Sequence, residues 1–534
     1  MSLRQTNIER LQQEDFDALI VGGGINGAVS AAALATHGAR VAMIDARDFA
    51  GFTSQQSSNL VWGGIKYMEG YEFGLVAGLC KSRNELLDSF PSTVKEIRFL
   101  MTLSREFRFH PWVILASTWL YWLLGRGRTR TPRLLSLRQL REAEKHIDIA
   151  SSSAGVEYSD AFLHDNDARF VFNFVRSAMD SGCAAANYVE SNGSARGDDG
   201  YWQTAVTDKV SGKSFIIRSR ILVNAAGAYV DELNQRAGID TEHRHLLSKG
   251  IHLIVPCISD RRRVLAFFAS DERLFFAIPM ANRSCIGTTD TRVDEPLTAV
   301  TDADRDFVLN NINARLDLDA PLRREDVIAE RCGVRPLAVR KARGAALDVQ
   351  QLSRKHVIET DAERRHVSIF GGKLTDCLNV GAEIIDCAGA LGLDLRTPAG
   401  KWYGEPGETA RRAFLERIRD LGLDDRLASD THEAIGDRLW RRYADHANTM
   451  LDAIEEDPTL AEPLIEGGGI RRCEVSYLAE REMIVRLEDF LRRRSKIELL
   501  LPRDELRRSE ALRAACDILF GDSAQQKFDE YFNQ

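Results

Sequence analysis

The stretch DALIVGGGINGAVSAAALATHGARVAMID, residues 17–45, decides the fold. An apolar strand over 18–21 leads into three glycines and then into a helix of small residues over 28–36. A second strand over 40–44 ends in Asp45. This order predicts a βαβ unit, in which the helix packs against two parallel strands.

The glycines of this unit follow the pattern G-x-G-x-x-G. Gly22 permits the tight turn, Gly24 lets a diphosphate approach the backbone, and Gly27 lets the helix pack closely against the strand. The first turn of the helix offers N–H groups to the diphosphate, and Asp45 is placed to accept hydrogen bonds from ribose hydroxyls. Because strand, helix, second strand and acid accompany the glycines, the sequence predicts a Rossmann-like dinucleotide-binding domain.

Two later segments favour FAD over NAD as the dinucleotide. ILVNAAG at 221–227 and IFGGKL at 369–374 each bring a strand to a glycine turn. Three segments distant in the chain thus each end a strand at the same edge of a sheet. This arrangement suits a long cofactor bound by a discontinuous domain. Helix N-termini at that edge would also stabilise negative charge on a reduced flavin.

The composition is typical of a globular protein with several domains. The chain has 534 residues, of which 44% are hydrophobic and 28% charged, and single cores stop growing at roughly 300 residues. The net charge of −8 makes nucleic acid a poor partner.

The cysteines and the N-terminus indicate a reducing compartment. The nine cysteines are scattered and contain no CxxC pair, so we expect neither a disulfide framework nor a metal site. The polar N-terminus has no apolar segment of the signal-peptide kind. We therefore expect a cytoplasmic protein.

The order of predicted elements divides the chain into four parts, with α/β plus α+β as the fold class. A discontinuous FAD-binding domain and an antiparallel-sheet substrate-binding domain are followed by a C-terminal α-helical cap domain with helical periodicity. The expected boundaries are 1–14 for a tail, 15–90 with 151–235 and 346–396 for the FAD-binding domain, 91–150 with 236–345 for the substrate-binding domain, and 397–534 for the C-terminal domain.

Several motifs together resemble those of the FAD-dependent glycerol-3-phosphate dehydrogenases, membrane-associated flavoproteins of the DAAO-like superfamily. They occur in the family's order, cover most of residues 16–400, and are followed by a region that looks like the family's helical cap. The matching stretches are VGGGINGA (21–28), TSQQSSNLVWGGIKYMEGYEF (53–73), EYSDAFLHDNDAR (157–169), LVNAAGAYV (222–230), SKGIHLIVP (248–256), FFAIP to IGTTDT (275–291), GVRPL (333–337) and FGGKLT (370–375).

The resemblance implies a reaction and its partners. A hydride passes from C2 of sn-glycerol 3-phosphate to flavin N5, dihydroxyacetone phosphate is formed, and the electrons continue to a membrane quinone. This chemistry needs a phosphate clamp, a base for the hydroxyl proton and a positive environment for the reduced flavin. The family location is peripheral, on the cytoplasmic face of the inner membrane, and a homodimer is left open.

The resemblance also assigns roles to individual residues. His252 is the candidate base, although a hydrogen-bonded core histidine is the competing interpretation. Arg335 precedes a proline that favours extended backbone, and its fork suits a phosphate. The expected catalytic residues are His252, Arg335 and Lys373, and the expected substrate-binding residues are Lys66, Tyr67, Arg335 and Arg354. The expected cofactor-binding residues are Gly22, Gly24, Asn26, Gly27, Asp45, Thr53, Ser54, Ser57, Ser58, Gly63, Gly64, Ala226, Gly227, Gly371, Gly372, Lys373, Leu374 and Thr375.

Some positions depart from the family's usual residues. Trp62 replaces a histidine, and Lys66 replaces an arginine, which keeps the charge but loses the bidentate fork. Asn59 stands where lysine is common, Asp376-Cys377 replaces Thr-Tyr, and 227–229 reads Gly-Ala-Tyr instead of Gly-Pro-Trp. FAD binding is unaffected, but the substrate stays open to erythritol 4-phosphate or another 2-hydroxy compound.

Other functions also stay open. An oxidase that reduces O₂ and a non-catalytic flavin-binding paralogue share this fold. The net charge of −8 disfavours a flavin enzyme that modifies RNA.

Two further runs have alternative interpretations. WVILASTWLYWLL at 112–124 spans about 20 Å as a helix, less than the roughly 30 Å of a hydrocarbon core, so we predict no transmembrane helix. Arginines follow it, which suits a segment lying on anionic lipid, while a buried helix is the alternative. LRRRSK at 491–496 is expected to be a solvated helix face.

Overall fold

The computed structural model describes residues 2–269, 273–341, 355–423, 427–428 and 431–533. These residues form two large β-sheets and a C-terminal helical domain. The strands are β1 (Asp15–Val21), β2 (Val41–Ile44), β3 (Leu60–Val61), β4 (Val94–Ser104), β5 (Arg133–Leu135), β6 (Ser152–Leu163), β7 (Ala184–Ala186), β8 (Val189–Arg196), β9 (Trp202–Asp208), β10 (Ser214–Asn224), β11 (His243–Pro256), β12 (Arg263–Phe268), β13 (Leu274–Met280), β14 (Arg283–Gly287), β15 (Thr291–Val293), β16 (Ala329–Arg340), β17 (Val357–Asp361), β18 (His366–Phe370), β19 (Leu427–Ala428) and β20 (Thr431–Ala434). The helices are α1 (Leu3–Gln13), α2 (Ile25–Thr36), α3 (Phe73–Ser89), α4 (Pro111–Leu124), α5 (Leu137–Ala143), α6 (Asp167–Asp180), α7 (Val230–Arg236), α8 (Asp302–Asn313), α9 (Cys377–Ala390), α10 (Glu408–Asp420), α11 (Ile435–Tyr443), α12 (Asn448–Glu456), α13 (Arg472–Arg481), α14 (Ile497–Leu500), α15 (Arg503–Arg508), α16 (Glu510–Phe520) and α17 (Ala524–Phe532).

The first sheet contains the predicted βαβ unit. Its strand order is β17-β18-β10-β1-β2-β7, and β9 and β8 extend it from β10. The strands from β18 to β7 are parallel to their neighbours, as a crossover through α2 requires. Residues 27–35 of α2 are all buried, because small side chains let α6 and α9 pack against it on the sheet.

The second sheet is largely antiparallel. Its strand order is β15-β11-β14-β13-β12-β4-β6-β3, with β16 paired to β11 and β5 paired to β6. Only the contact between β12 and β4 is parallel among the described strand pairs of this sheet. The predicted combination of a Rossmann-like domain, an antiparallel sheet and a C-terminal helical domain is confirmed.

The prediction of a tail over 1–14 is wrong. These residues form α1, whose Ile8 and Leu11 lie one turn apart and are buried. Asn7 Nδ2 donates to the carbonyl of Ala185 in β7 at 2.8 Å, and Arg4 Nη2 lies 2.5 Å from Asp208 Oδ1. The polar sequence concealed this contact because only one narrow face of the helix is apolar.

The domain boundaries need a second correction. Residues 152–163 are predicted to belong to the FAD-binding domain, but they form β6, which pairs with β4 throughout its length in the second sheet. The two residues of β3 also join this sheet, through β6. An apolar run indicates a strand, but its sheet is decided by a partner distant in the chain.

The run 491–496 is buried and not a solvated helix face. Arg492, Arg493 and Arg494 are each less than 6% exposed and belong to a π-helical turn over Asp489–Arg494. Arg493 and Arg494 pair with the carboxylate of Asp48, and Arg492 donates to Gln56 Oε1, so the C-terminal domain docks through buried ion pairs and hydrogen bonds. Ion pairs of this interface include Arg494 with Asp48, Arg169 with Glu482, and Arg442 with Asp165.

Helix α4 is exposed on one side, so the interpretation of 112–124 as a buried helix is wrong. Trp112 and Leu123 are 62% and 61% exposed, while Tyr121 faces the interior. Among the helices of the described residues, none has the length and apolar character needed to cross a bilayer.

Candidate functional site

A cavity of about 750 Å³ opens where β1, β2 and β10 end. This is the edge at which parallel α/β sheets bind their ligands. Of the predicted cofactor-binding residues, the cavity wall contains Gly22, Gly24, Asp45, Thr53, Ser54, Ala226 and Gly227.

The glycine turn is shaped for close approach of a ligand. Gly22 has a φ of +109°, and a Cβ there would lie 2.5 Å from the carbonyl oxygen of Ala225. A Cβ on Gly27 would lie 1.8 Å from the carbonyl oxygen of Gly22. Only glycine therefore allows the turn and α2 to pack in this way.

The N-terminus of α2 faces the same cavity. Gly24 caps the helix without any side-chain hydrogen bond, and Ser54 Oγ accepts from Ile25 N at 3.0 Å. Asn26 Nδ2 donates to Gly371 O at 3.0 Å, while Asn26 Oδ1 is buried without a partner in the described part of the chain. The helix N-terminus and the bare backbone turn fit the diphosphate of a cofactor such as FAD, whereas the Asn26 amide oxygen can accept only from a donor such as a hydroxyl of that cofactor.

Asp45 lies in the cavity wall with its carboxylate fixed by the backbone. Gly23 N donates to Oδ2 at 2.7 Å and Arg47 N donates to Oδ1 at 2.8 Å. Burial raises the pKa of Asp45 to about 7 and outweighs these two hydrogen bonds. Its role with ribose hydroxyls stays a prediction.

The hydroxyl-rich segment 53–58 divides into two parts. Thr53 and Ser54 line the cavity, and Thr53 Oγ1 donates to Val334 O at 2.6 Å. Ser57 turns to α6 instead, because its N–H donates to Asp167 Oδ2 at 2.8 Å. Ser57 and the half-buried Ser58 are outside the cavity wall, so their role with the cofactor stays a prediction.

Gly63 lies against α4, and Gly64 lies beside Tyr67 and α3. A Cβ on Gly63 would be 2.3 Å from the hydroxyl oxygen of Tyr121, and Gly63 N donates to the Asp160 carboxylate at 3.3 Å. Gly64 has a φ of +80°, so glycine is needed for the turn that leads into Lys66 and Tyr67. The structure thus gives these glycines a packing role that the sequence did not predict.

Lys373 lies on two aromatic rings. Its Nζ is 4.1 Å from the centre of the Tyr67 ring and 5.9 Å from that of Trp62, within range of cation–π attraction. Thr375 is buried beside them, with Oγ1 3.4 Å from Trp62 O. Trp62, which departs from the family pattern, is therefore part of the site.

The turn that carries Lys373 is tied to the cofactor domain. Gly371 and Gly372 have positive φ values of 63° and 108°. Leu374 packs against the core of the first sheet. The turn therefore joins α2, through Asn26, to the aromatic pair.

His252 and Arg335 lie on neighbouring strands of the second sheet. His252 is buried, and neither ring nitrogen has a hydrogen-bond partner in the described residues. Burial, and then the charges of Arg335 and Arg331, lower its pKa to about 3. The competing interpretation of a hydrogen-bonded core histidine does not fit these orphaned nitrogens.

Arg335 has its own partners. It donates to Thr288 Oγ1 at 3.1 Å and to Thr289 O at 3.3 Å, and it lies 3.5 Å from Asp290 Oδ1. A Cβ on Gly250 would meet its guanidinium at 2.0 Å, so the glycine leaves room for this side chain.

The ring of Phe276 lies between the aromatic pair of Trp62 and Tyr67 and the strand that carries His252. Phe276 lies edge-on to Trp62 at 6.3 Å, and it pairs across the sheet with Gly287, which pairs with His252. The structure therefore places Lys373, Tyr67 and Trp62 on one side of this region and His252 with Arg335 on the other. Lys66 is half-buried in the turn before Tyr67, and Arg354 lies outside the described residues.

A buried histidine–aspartate pair behind the Lys373 turn was missed by sequence reasoning. His356 Nδ1 lies 2.6 Å from Asp376 Oδ2, and its Nε2 lies 3.0 Å from Glu383 Oε1. Burial lowers the pKa of His356, but Asp376 and then Glu383 outweigh it and raise the pKa above its usual value. The sequence signal that could have revealed this pair is the departure from the family pattern at Asp376. In the structure its carboxylate contacts His356.

Comparison with known proteins identifies the family. The FAD dependent oxidoreductase model matches residues 17–371, and the model of the C-terminal domain of alpha-glycerophosphate oxidase matches residues 407–522. A glycerol-3-phosphate dehydrogenase of Pseudomonas aeruginosa is 31% identical over 519 residues, covering 94% of this chain and 96% of that protein. The chain belongs to the FAD-dependent glycerol-3-phosphate dehydrogenase family.

A second relative supports this assignment, and a solved structure shares the fold. Glycerol-3-phosphate dehydrogenase 2 of Mycobacterium tuberculosis is 30% identical over 513 residues, covering 92% of this chain and 83% of that protein. The crystal structure of the glycerol-3-phosphate dehydrogenase from Bacillus halodurans, complexed with FAD, shares the fold with a TM-score of 0.75 at 23% identity, covering 100% of this chain and 97% of that chain. FAD is the cofactor of this flavoprotein, and the resemblance predicted from the sequence is confirmed.

Proposed function

We propose that this protein oxidises sn-glycerol 3-phosphate to dihydroxyacetone phosphate and passes the electrons to a quinone. Two placements carry the proposal: Arg335 follows Val334 of the cavity wall on the strand paired with that of the buried His252, and Lys373 lies in the turn that Asn26 joins to α2. When bound, FAD supplies the acceptor for a hydride from the carbinol carbon. Residues of this chain would bind the phosphate, accept the hydroxyl proton and stabilise charge on the reduced cofactor.

Cations would bind the phosphate of the substrate. Arg335 presents a planar fork that suits two phosphate oxygens, and it follows Gly333 and Val334 of the cavity wall. Lys66, as a point charge, and the hydroxyl of Tyr67 would contribute from the opposite side. Arg354 completes the proposed set from outside the described residues.

His252 would accept the proton of the C2 hydroxyl. Its imidazole is neutral because burial and two arginines lower its pKa to about 3. A base works best when its pKa is near the working pH. Because a bound phosphate would neutralise Arg335, substrate binding itself raises the basicity of His252.

Lys373 would stabilise the negative charge that develops on the reduced cofactor. Cation–π attraction to the Tyr67 and Trp62 rings holds its ammonium group in place. A fixed cation contributes more than a mobile one because no reorganisation is needed during the reaction.

The first experiment is an anaerobic titration of the yellow holoenzyme. Loss of the flavin band near about 450 nm with glycerol 3-phosphate is the expected result. Bleaching by erythritol 4-phosphate alone would identify that compound as the substrate instead of glycerol 3-phosphate. A flavin that neither compound reduces would overturn the proposal. Re-oxidation of the reduced enzyme by a soluble quinone, compared with air-saturated buffer, separates the proposed acceptor from the oxidase alternative.

We also propose that α4 docks on the cytoplasmic face of an anionic membrane, where the quinone is found. Its exposed apolar residues include Trp112, Val113 and Leu123, and the exposed His110 and Arg126 flank its two ends. Aromatic rings beside cations suit the boundary between acyl chains and anionic headgroups.

Vesicle sedimentation tests this docking. We expect wild type to pellet with vesicles that contain phosphatidylglycerol, and a double variant Trp112→Asp with Leu123→Asp to stay in the supernatant. Ile518→Asp is the matched control, because Ile518 is an apolar residue of α16 with 53% exposure. Equal pelleting of the double variant and the wild type would refute the assignment to α4.

A further inference from the structure

The C-terminal domain reaches the cofactor cavity through its buried arginines. Residues 50–56 form one wall of this cavity, and segment 48–56, which contains them, is called the wall segment below. Glu488, from the C-terminal domain, lines the same cavity. The two domains therefore meet at the cofactor site and not only at a remote surface.

On its inner side the wall segment is fixed to the glycine turn and to the second sheet. Ala50 N donates to Gly23 O at 2.9 Å, and Ser54 Oγ accepts from Ile25 N. Thr53 Oγ1 donates to β16. These contacts fix residues 50–54 of the segment, and its outer side contacts other partners.

On its outer side the wall segment is held by three arginines of the C-terminal domain, of which Arg494 donates from Nη1 and Nη2 to the two carboxylate oxygens of Asp48, each at 2.8 Å. Arg493 Nε donates to Asp48 Oδ2 at 2.7 Å, and its Nη1 donates to Gln55 Oε1 at 3.0 Å. Arg492 Nη2 donates to Gln56 Oε1 at 2.8 Å. Arg493 thus joins the first and the penultimate residue of the wall segment with one rigid fork.

Arg493 is itself held by acids of its own domain. Its guanidinium donates to Glu488 Oε1 at 2.8 Å and to Asp489 Oδ1 at 2.5 Å. All nitrogens of the fork are therefore used, and lysine could reproduce only part of this pattern. The carboxylate of Glu488, fixed by the same fork, lies in the cavity wall.

We propose that Arg493 is a positioning residue for FAD, through which the C-terminal domain forms part of the cofactor site. Arg493 sets the wall segment against the glycine turn, so its loss loosens the cavity without removing any group that contacts the substrate. The proposal rests on FAD as the cofactor and not on the proposed substrate. Its failure would therefore leave the proposed reaction intact.

The test measures FAD release from the full-length holoenzyme after dilution, followed by the rise of flavin fluorescence. We expect Arg493→Lys to release FAD at least tenfold faster than wild type and to alter the shape of the visible flavin band. Arg441→Lys is the matched control, because Arg441 is equally buried at the same domain interface and pairs with Asp165 and Glu433 away from the wall segment.

Gln55→Met provides a second, independent variant. It removes the acceptor of Arg493 from the wall segment without leaving a charge unpaired, and we expect FAD release to be several-fold faster. Unchanged release in both Arg493→Lys and Gln55→Met would overturn the proposal. Equal acceleration in Arg441→Lys would overturn it too, because the effect would then be general loosening of the interface. If Arg493→Lys does not fold, Gln55→Met alone decides.

Discussion

Replacing Gly27 by alanine should abolish tight FAD binding. The added Cβ would lie 1.8 Å from Gly22 O, whereas real Cβ contacts are essentially never under 3.0 Å. The contact is with backbone, so α2 must move away from the turn by more than about 1 Å, a misplacement large enough to disrupt a positioned site. Two hydrogen bonds from the helix N-terminus to the diphosphate, each about 1.5 kcal/mol, would be lost. The expected loss is therefore about 3 kcal/mol, or about a hundredfold in Kd for FAD.

The assay is the FAD content of the purified protein and the Kd from quenching of flavin fluorescence. Gly78→Ala is the control, because Gly78 lies in α3 and a Cβ added there would have no neighbour within 4 Å among the described residues. There alanine should leave FAD affinity unchanged and stabilise the helix by up to about 1 kcal/mol. A Gly27→Ala protein that binds FAD within threefold of wild type would refute the packing argument.

Two further substitutions address the reaction site. His252→Asn should keep FAD bound but slow flavin reduction by at least about a hundredfold. Since burial lowers the pKa of His252 in the free enzyme, the second-order rate constant for reduction of wild type at low substrate should show no acid limb near the ordinary histidine pKa of about 6.5 in anaerobic stopped-flow. Asp376→Asn should lower the Tm of the holoenzyme most near pH 5–6, by the equivalent of about 1–3 kcal/mol for a hydrogen bond to a charged group. The raised pKa of His356 stabilises the wild type fully below the ordinary value of 6.5, and this contribution is lost as the pH rises through the folded-state pKa. The lowered pKa of Asp376 adds stability that is lost as the pH falls through its folded-state value, so a Tm difference that is constant from pH 4 to 9 would contradict the pairing.

The sequence predicted the parts of the fold that depend on local pattern. The βαβ unit is encoded in one continuous stretch, and its glycines have steric roles that hold wherever the motif occurs. The motif order predicted the family and with it the neighbourhood of His252 and Lys373. Helix α1 was missed because its apolar face is narrow, and β6 was misassigned because strand pairing depends on residues distant in the chain.

The parts of the site that the sequence did not predict are contacts between distant segments. Arg493 meets Gln55 across more than 400 residues, and no local pattern indicates such a pair. A run of arginines is ordinarily solvated, so burial had to be seen in the structure. Asp376 was recognised as a departure, but its partner His356 could not be derived from spacing.

The buried ion pairs between the two domains also limit which substitutions the sequence can accept during evolution. Replacing one partner of such a pair leaves an uncompensated buried charge, which costs about 3–5 kcal/mol. Arg494 with Asp48 and Arg442 with Asp165 are therefore expected to vary only together, if they vary at all. A C-terminal domain transplanted from a relative with other charges at these positions would leave buried charges without a partner. The two domains are therefore expected to evolve as one unit, because recombination at the domain boundary would separate the partners of these ion pairs.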